Sequence, residues 1–420
     1  MTQPTAIAGR RTPLLLIMFA ALMAGAGNGI SIVAFPWLVL QRNGSALDAS
    51  IVAMAGTLPL LAATVIAGAA VDFLGRRRVS MISDGLSALS VAAVPTLALM
   101  FGAHVVNVAV LAGLAALGAF FDPAGMTARE TMLPEAAQHA GWTLDRANSV
   151  YEAVFNLAYI VGPGIGGLLI ATLGGIDTMW VTAGAFGLSI VAIAVLRLEG
   201  AGRPDRSVMT DGVWAGIVEG LRFVWQSPVL RTLAFVDLAA TGLYMPMESV
   251  LFPKYFTDRN EPAQLGWVLM ALSLGGLIGA LGYAVMSKYM KRRTVMLAAV
   301  LTLGVAMTVI AFLPPLPVIL VLCAVVGFVY GPIAPIYNYV MQTRAPQHLR
   351  GRVVGVMGSL AYAAGPLGLI LAGPLADASG LHATFLALSL PMLALGVVAV
   401  FLPALRELDQ TPATPGSDTP

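Results

Sequence analysis

Twelve long apolar blocks, a one-sided placement of Lys and Arg, and an internal repeat predict an all-α integral membrane protein. The expected architecture is twelve transmembrane helices in two pseudo-symmetric six-helix halves. Hydrophobic residues make up 58% of the chain and charged residues only 10%, against about 25% charged in a soluble domain. A bilayer core about 30 Å thick needs roughly 20 apolar residues per helix. Blocks of that length fall near 14–40, 49–72, 79–102, 106–127, 147–172, 178–197, 229–256, 264–287, 294–313, 316–342, 352–376 and 381–403. Lipid offers the backbone no hydrogen bonds, so each block reads as a helix.

The charge pattern sets the topology. Of 23 Lys and Arg, all but Arg42, Lys254 and Arg259 fall in segments that an inside N-terminus places in the cytoplasm. Positive charge stays inside, so both termini are expected in the cytoplasm and the chain in the inner (plasma) membrane. The sole cysteine, Cys323, lies inside a span, which excludes an intrachain disulfide. Arg10 and Arg11 precede an apolar block too long for a signal-peptide core, so the first block reads as a retained helix.

The chain divides into an N-terminal half at 1–198, a cytoplasmic connecting segment at 199–228, a C-terminal half at 229–408 and a disordered cytoplasmic tail at 409–420. Within the connection, Trp214, Ile217, Val218, Leu221, Phe223 and Trp225 recur near helical spacing, and Asp211 is placed to cap that helix. It reads as an amphipathic helix along the membrane face. The halves echo each other: Leu157-Ala158-Tyr159 followed by Gly162-Pro163 returns as Leu360-Ala361-Tyr362 followed by Gly365-Pro366. Two similar halves suit alternating access, in which one rocks against the other around a midplane site.

Two motifs carry mechanism. The first is Gly68-x-x-x-Asp72-x-x-Gly75-Arg76-Arg77 on the loop between spans two and three. Its glycines permit close helix approach and a tight turn, and Asp72 is placed to accept hydrogen bonds from a neighbouring helix N-terminus. The sequence near Gly282 and Lys291-Arg292-Arg293 is a weaker copy, with Met286 and Ser287 where the acid would fall. The second is Gly162-Pro163-x-x-Gly166-Gly167 in span five, a bend flanked by close-packing positions. Packing alone accounts for its residues equally well.

The first motif resembles the G-x-x-x-D-x-x-G-R-[RK] signature of the major facilitator superfamily, and the second the G-P-x-x-G-G core of its antiporters. In that family the loop latches the cytoplasmic side. Phe121-Asp122-Pro123-Ala124, Met132-Leu133-Pro134-Glu135 and Arg146-Ala147-Asn148 resemble the drug-exporter branch. The stretches at 32–40, 247–258 and Tyr337-Asn338-Tyr339 are similar to the Tap multidrug efflux family of mycobacteria. The resemblance implies a major facilitator fold, proton-driven export of amphipathic drugs of the tetracycline and aminoglycoside type, and a monomer.

Acids inside spans are functional suspects because a charge at the bilayer centre costs about 2.5–3.5 kcal/mol on insertion scales. Asp237 and Glu248 stand eleven residues apart in span seven, on one helical face and about 16 Å apart along the axis, with Pro246 between them. Either proton exchange or a structural ion pair accounts for them. Glu152, with Asn156 four residues on, opens span five; it reads as a third proton-coupling candidate or as a capping acid. Asn28, Asn156, Tyr159, Tyr244, Tyr337, Asn338 and Tyr362 are candidates to line a drug cavity, with helix–helix contact as the rival role.

No phosphate-cradling run, Cys/His metal spacing or serine nucleophile motif occurs, so no enzyme, metal or cofactor is expected. The expected partners are small amphipathic drugs, protons and membrane lipids, with no nucleic acid. A lipid or amphiphile translocator on the same fold is the alternative.

Overall fold

The computed structural model describes residues 11–198, 213–346 and 349–409. Asp211, the first part of the connecting segment and the tail beyond Asp409 lie outside the described residues, as do the side chains of Asp72, Trp214, Ile217, Asn156, Tyr159 and Tyr362. All described regular structure is helical. The elements are α1 (Thr12–Asn43), α2 (Ala46–Ala55), α3 (Leu58–Leu74), α4 (Arg76–Phe101), α5 (Val108–Ala140), α6 (Leu144–Leu173), α7 (Gly175–Val195) and α8 (Val213–Gln226). They continue with α9 (Pro228–Pro246), α10 (Phe252–Thr257), α11 (Pro262–Tyr289), α12 (Arg292–Ile310), α13 (Leu316–Tyr330), α14 (Ile333–Arg344) and α15 (Arg350–Phe401).

Each of the twelve apolar blocks lies on helix, but several helices are interrupted. Among the described residues, nine helical stretches are long and apolar enough to cross a membrane. One of them, within α15, carries both of the last two blocks across Gly380, whose φ of 79° turns the chain in a conformation that side chains resist. Span seven is broken where Pro246 ends α9: a π-helical turn, Met247–Leu251, intervenes before α10. Proline has no N–H to donate and crowds the preceding turn, so the ladder re-forms with a wider step. Span four runs beyond its expected end, since α5 continues to Ala140 despite Pro123 and Pro134.

Contacts divide the chain into two compact units. One comprises Met1–Met209 with Glu248–Met270, the other Thr210–Met247 with Ala271–Pro420. In the first, α1 packs on α5, α6 and α7, and α4 packs on α5 and α7. Its inner end is an apolar cluster built on Leu14, Ile17, Met132, Leu133, Tyr151 and Ile193. In the second, α15 packs on α9 and α12. There α8 leaves Val218, Leu221 and Trp225 exposed, the apolar face expected of a helix lying in a membrane interface. Its Glu219 pairs with Arg352, and the Arg352 backbone passes against Gly220.

The basic loops act as clamps, and each unit has one. Arg77 at the start of α4 donates to the Ala194 carbonyl, in the last turn of α7. Arg293 at the start of α12 donates to the Val400 carbonyl at 2.7 Å, in the last turn of α15. A helix end leaves four carbonyls without intrahelical partners and carries partial negative charge, so a guanidinium suits it. Arg76 donates to the Thr131 carbonyl at 2.8 Å. Gly75 makes the turn possible with a φ of 86°. On the other side of the charge pattern, Arg42 binds the Ala103 and Val106 carbonyls, Lys254 pairs with Asp258 at 3.1 Å, and Arg259 lies over the Tyr255 ring.

If the clamps are structural, Arg77→Ala and Arg293→Ala each lower the apparent Tm of the detergent-purified protein by several degrees. A charged hydrogen bond of this kind contributes about 1.5–3 kcal/mol. Unchanged melting in both variants would mean that the contacts contribute nothing.

Candidate functional site

The most developed polar assembly lies in the first unit, between α4 and α5. On α4, Ser80, Ser83, Ser87 and Ser90 recur at intervals of three and four and are all buried. Such a stripe lies on one helical face, and small polar residues in a membrane helix mark contact with another helix. On α5 the matching stripe is Gly118, Asp122, Gly125 and Arg129.

The two run antiparallel and mesh in order. Ser90 Oγ fills the space where a Gly118 side chain would begin, at 3.0 Å. Ser87 Oγ donates to Asp122 Oδ1 at 3.2 Å. Ser83 Oγ donates to the Phe121 carbonyl at 2.7 Å and occupies the space over Gly125. Arg129 Nη1 donates to Ser80 Oγ at 3.4 Å.

The inner end of this zipper is an ion pair. Arg129 Nη1 lies 2.9 Å from both oxygens of Asp84, and Ser189 Oγ of α7 donates to Asp84 Oδ2 at 2.6 Å. Asp84 is 1% exposed and Arg129 2%, so each charge depends on the other. Tyr151 of α6 is buried beside the guanidinium. The Asn28 side chain of α1 lies beside Asp122. Five helices therefore converge on one network.

The antiporter-type glycines of α6 serve two faces. Side chains at Gly162 and Gly166 would strike the backbone of α1, at Gly29 and Ile30. One at Gly167 would strike the backbone of α11 at Pro262 and Gly266, and Gly164 is covered by Met270. Pro163 sits buried between the two sets. In the second unit the repeat places Gly368 against Gly242, and Gly365 against Met245. In both units, then, the glycine–proline segment brings two backbones into contact.

The remaining sequence candidates are dispersed. Asp237 is half-buried on α9, with Tyr330 of α13 and Tyr337 of α14 as titratable neighbours. Glu248 is half-buried on the π-helical turn and belongs to the other unit, and the helix between the two acids is interrupted at Pro246, as its sequence position predicts. Glu152 is exposed on α6, within electrostatic reach of Glu130. Tyr337 is buried and its hydroxyl donates to the Leu233 carbonyl at 3.1 Å, a tie between α14 and α9. Tyr244 and Asn28 are half-buried and Asn338 is exposed. Gly68 and Asp72 lie on α3, and the Asp72 side chain is outside the described residues.

Sequence reading did not single out Asp84 or Arg129. The signal was present in the serine spacing of span three and its complement in span four, but Arg129 stands just past the expected end of span four.

Comparison with known proteins gives consistent results. The Major Facilitator Superfamily model matches residues 17–369 and 261–418. The chain is 87% identical over 400 residues to the multidrug efflux pump Tap of Mycolicibacterium fortuitum, covering 95% of this chain and 98% of that one. It is 69% identical over 402 residues to the multidrug efflux pump Tap of Mycobacterium tuberculosis (strain ATCC 25618 / H37Rv), covering 96% of each. Among solved structures, the nucleoside transporter NupG superposes with a TM-score of 0.74 at 12% identity, over 93% of this chain and 98% of that one.

Removing either charge of the buried pair leaves the other without its partner. Asp84→Asn and Arg129→Met are each expected to cost about 3–5 kcal/mol, seen as a large drop in apparent Tm or in folded yield. The double variant Asp84→Leu with Arg129→Met is expected to lose less than the sum. Additive losses would show that the two side chains do not act as a pair.

Proposed function

Because the chain belongs to the Major Facilitator Superfamily, we propose that it is a secondary transporter exporting amphipathic drugs from the cytoplasm, coupled to proton entry by alternating access. The observation that carries this reading is near-full-length identity of 87% and 69% to proteins named multidrug efflux pumps. The tetracycline and aminoglycoside classes are what the family resemblance of the sequence implies. Carboxylates within the membrane-spanning region support proton coupling, since such groups mark proton and ion paths in transporters.

In this reading the protein acts as a monomer in the plasma membrane with both termini in the cytoplasm. The Gly68–Arg77 loop gates the cytoplasmic side, Asp237 exchanges a proton during the cycle, and Glu248 and Glu152 are further candidates. The close glycine contacts of α6 with α1 give these two helices of the first unit little freedom to separate. That rigidity suits a bundle that rocks as a body.

Reconstituted protein under an imposed proton gradient is expected to move tetracycline, and a protonophore to stop it. No movement by well-folded protein would transfer the reading to a lipid or another amphiphile. Asp237→Asn is expected to lose gradient-driven export while keeping its fold and drug binding; full export would remove Asp237 from the cycle. Asp72→Asn is expected to slow turnover without abolishing binding, and normal turnover would leave the loop motif merely architectural.

A further inference from the structure

The polar zipper of the first unit contains more negative than positive charge. Among the described residues, Asp84 and Asp122 face a single base, Arg129, and the base is committed to Asp84 through contacts of 2.9 Å to both carboxylate oxygens. Ser189 saturates Asp84 further. The partners on Asp122 are neutral: the Ser87 hydroxyl at 3.2 Å and the Asn28 side chain. The charged groups acting on it are Asp84 across the α4 interface and Arg129 two turns along its own helix. From α6, Tyr151 faces Arg129 and not Asp122, while Glu130, beyond the pair, adds negative charge. The bases at the start of α4, Arg76 and Arg77, are directed to the Thr131 and Ala194 carbonyls and not to Asp122.

Depth and access separate the two acids. Asp122 lies fifteen residues into α5 from its cap at Asn107, about 22 Å along the axis and within the apolar block 106–127. Asp84 is 1% exposed, whereas Asp122 and Asn28 remain partly accessible. The two partners of Asp122 also suit either protonation state. A serine hydroxyl donates or accepts, and an asparagine amide offers N–H to a carboxylate or its oxygen to a carboxyl O–H. A group fixed as an ion is better served by a base, as Asp84 is.

From this geometry we propose that Asp122 is a proton-carrying carboxylate of the transport cycle, held by Ser87 and Asn28, while Asp84 stays paired with Arg129. The carboxylate takes up one proton from water on one side of the membrane, which brings the three-group set from a net charge of −1 to 0. It returns that proton to water on the other side. The inference rests on the proton-coupled reading above and adds a site that reading does not contain.

The test uses the full chain in proteoliposomes with tetracycline as probe, measured in two modes: uptake driven by a pH gradient, and counterflow without one. Asp122→Asn is expected to lower gradient-driven movement by about a hundredfold or more, the scale of removing one proton-transfer group, and to leave counterflow near the wild-type rate. Ser87→Ala keeps the carboxylate but removes a donor to its ionised form. It is expected to displace the pH profile of driven transport toward higher pH. If Asp122→Asn loses both modes, the Ser87→Ala profile decides: displacement upholds the proposal and an unchanged profile overturns it. Full driven transport by Asp122→Asn beside a silent Asp237→Asn overturns this proposal and leaves proton coupling intact. A wild-type protein that ignores the gradient overturns both.

Discussion

The first unit is organised around the contact of α4 with α5. In water, a serine stripe would be solvated and carry little information. In lipid there is no such outlet, and a polar face has to find another helix. The stripe on α4 meets glycines on α5 at two levels and charged groups at the others. Register is thereby fixed, because a slip by one turn would part Arg129 from Asp84 and leave each charge buried without its partner. That cost is far larger than any single apolar contact in the same interface. Ser189 and Tyr151 then tie α7 and α6 to the same pair.

Backbone proximity is the second constraint. Glycines in α6 hold α1 on one face and α11 on another, so one helix determines two neighbours. Repetition of this arrangement by Gly365 and Gly368 against α9 shows that the sequence echo between the halves is an echo of contacts. The arginine clamps obey the same rule. Arg77 and Arg293 each bind the last turn of the final helix of their own half, and the carbonyls they use are one residue from the helix end in both cases. A bundle pinned at its ends and meshed along its length moves as a body, which is the property that the proposed transport cycle requires.

Much of the fold was legible because the bilayer imposes it. Block length, charge placement and the glycine–proline repeat each follow from one-dimensional rules, and the helical fold and superfamily membership agree with them. Pro246 and Gly380 were visible in the sequence, but not what they do. A proline marks a weak point in a helix; the neighbours decide whether the chain kinks, widens into a π turn or stops. The same holds for Tyr337, whose side chain suits a cavity wall or a helix tie equally well until its hydroxyl is found on the Leu233 carbonyl.

The sequence by itself determined that this chain lives in a membrane and where its backbones come close. Those properties depend on local composition, and local composition is read directly. Only the tertiary structure decided which polar groups meet. Asp84 and Asp122 are acids inside spans and Arg129 stands just past one, but in the sequence they lie 38 and 7 positions apart with nothing to pair them. Their meaning depends on pairing across an antiparallel interface, where a difference of a few ångströms separates a neutralised acid from one held by neutral partners. Electrostatics in a low-dielectric interior depends steeply on distance, and distance between helices is what one sequence does not contain.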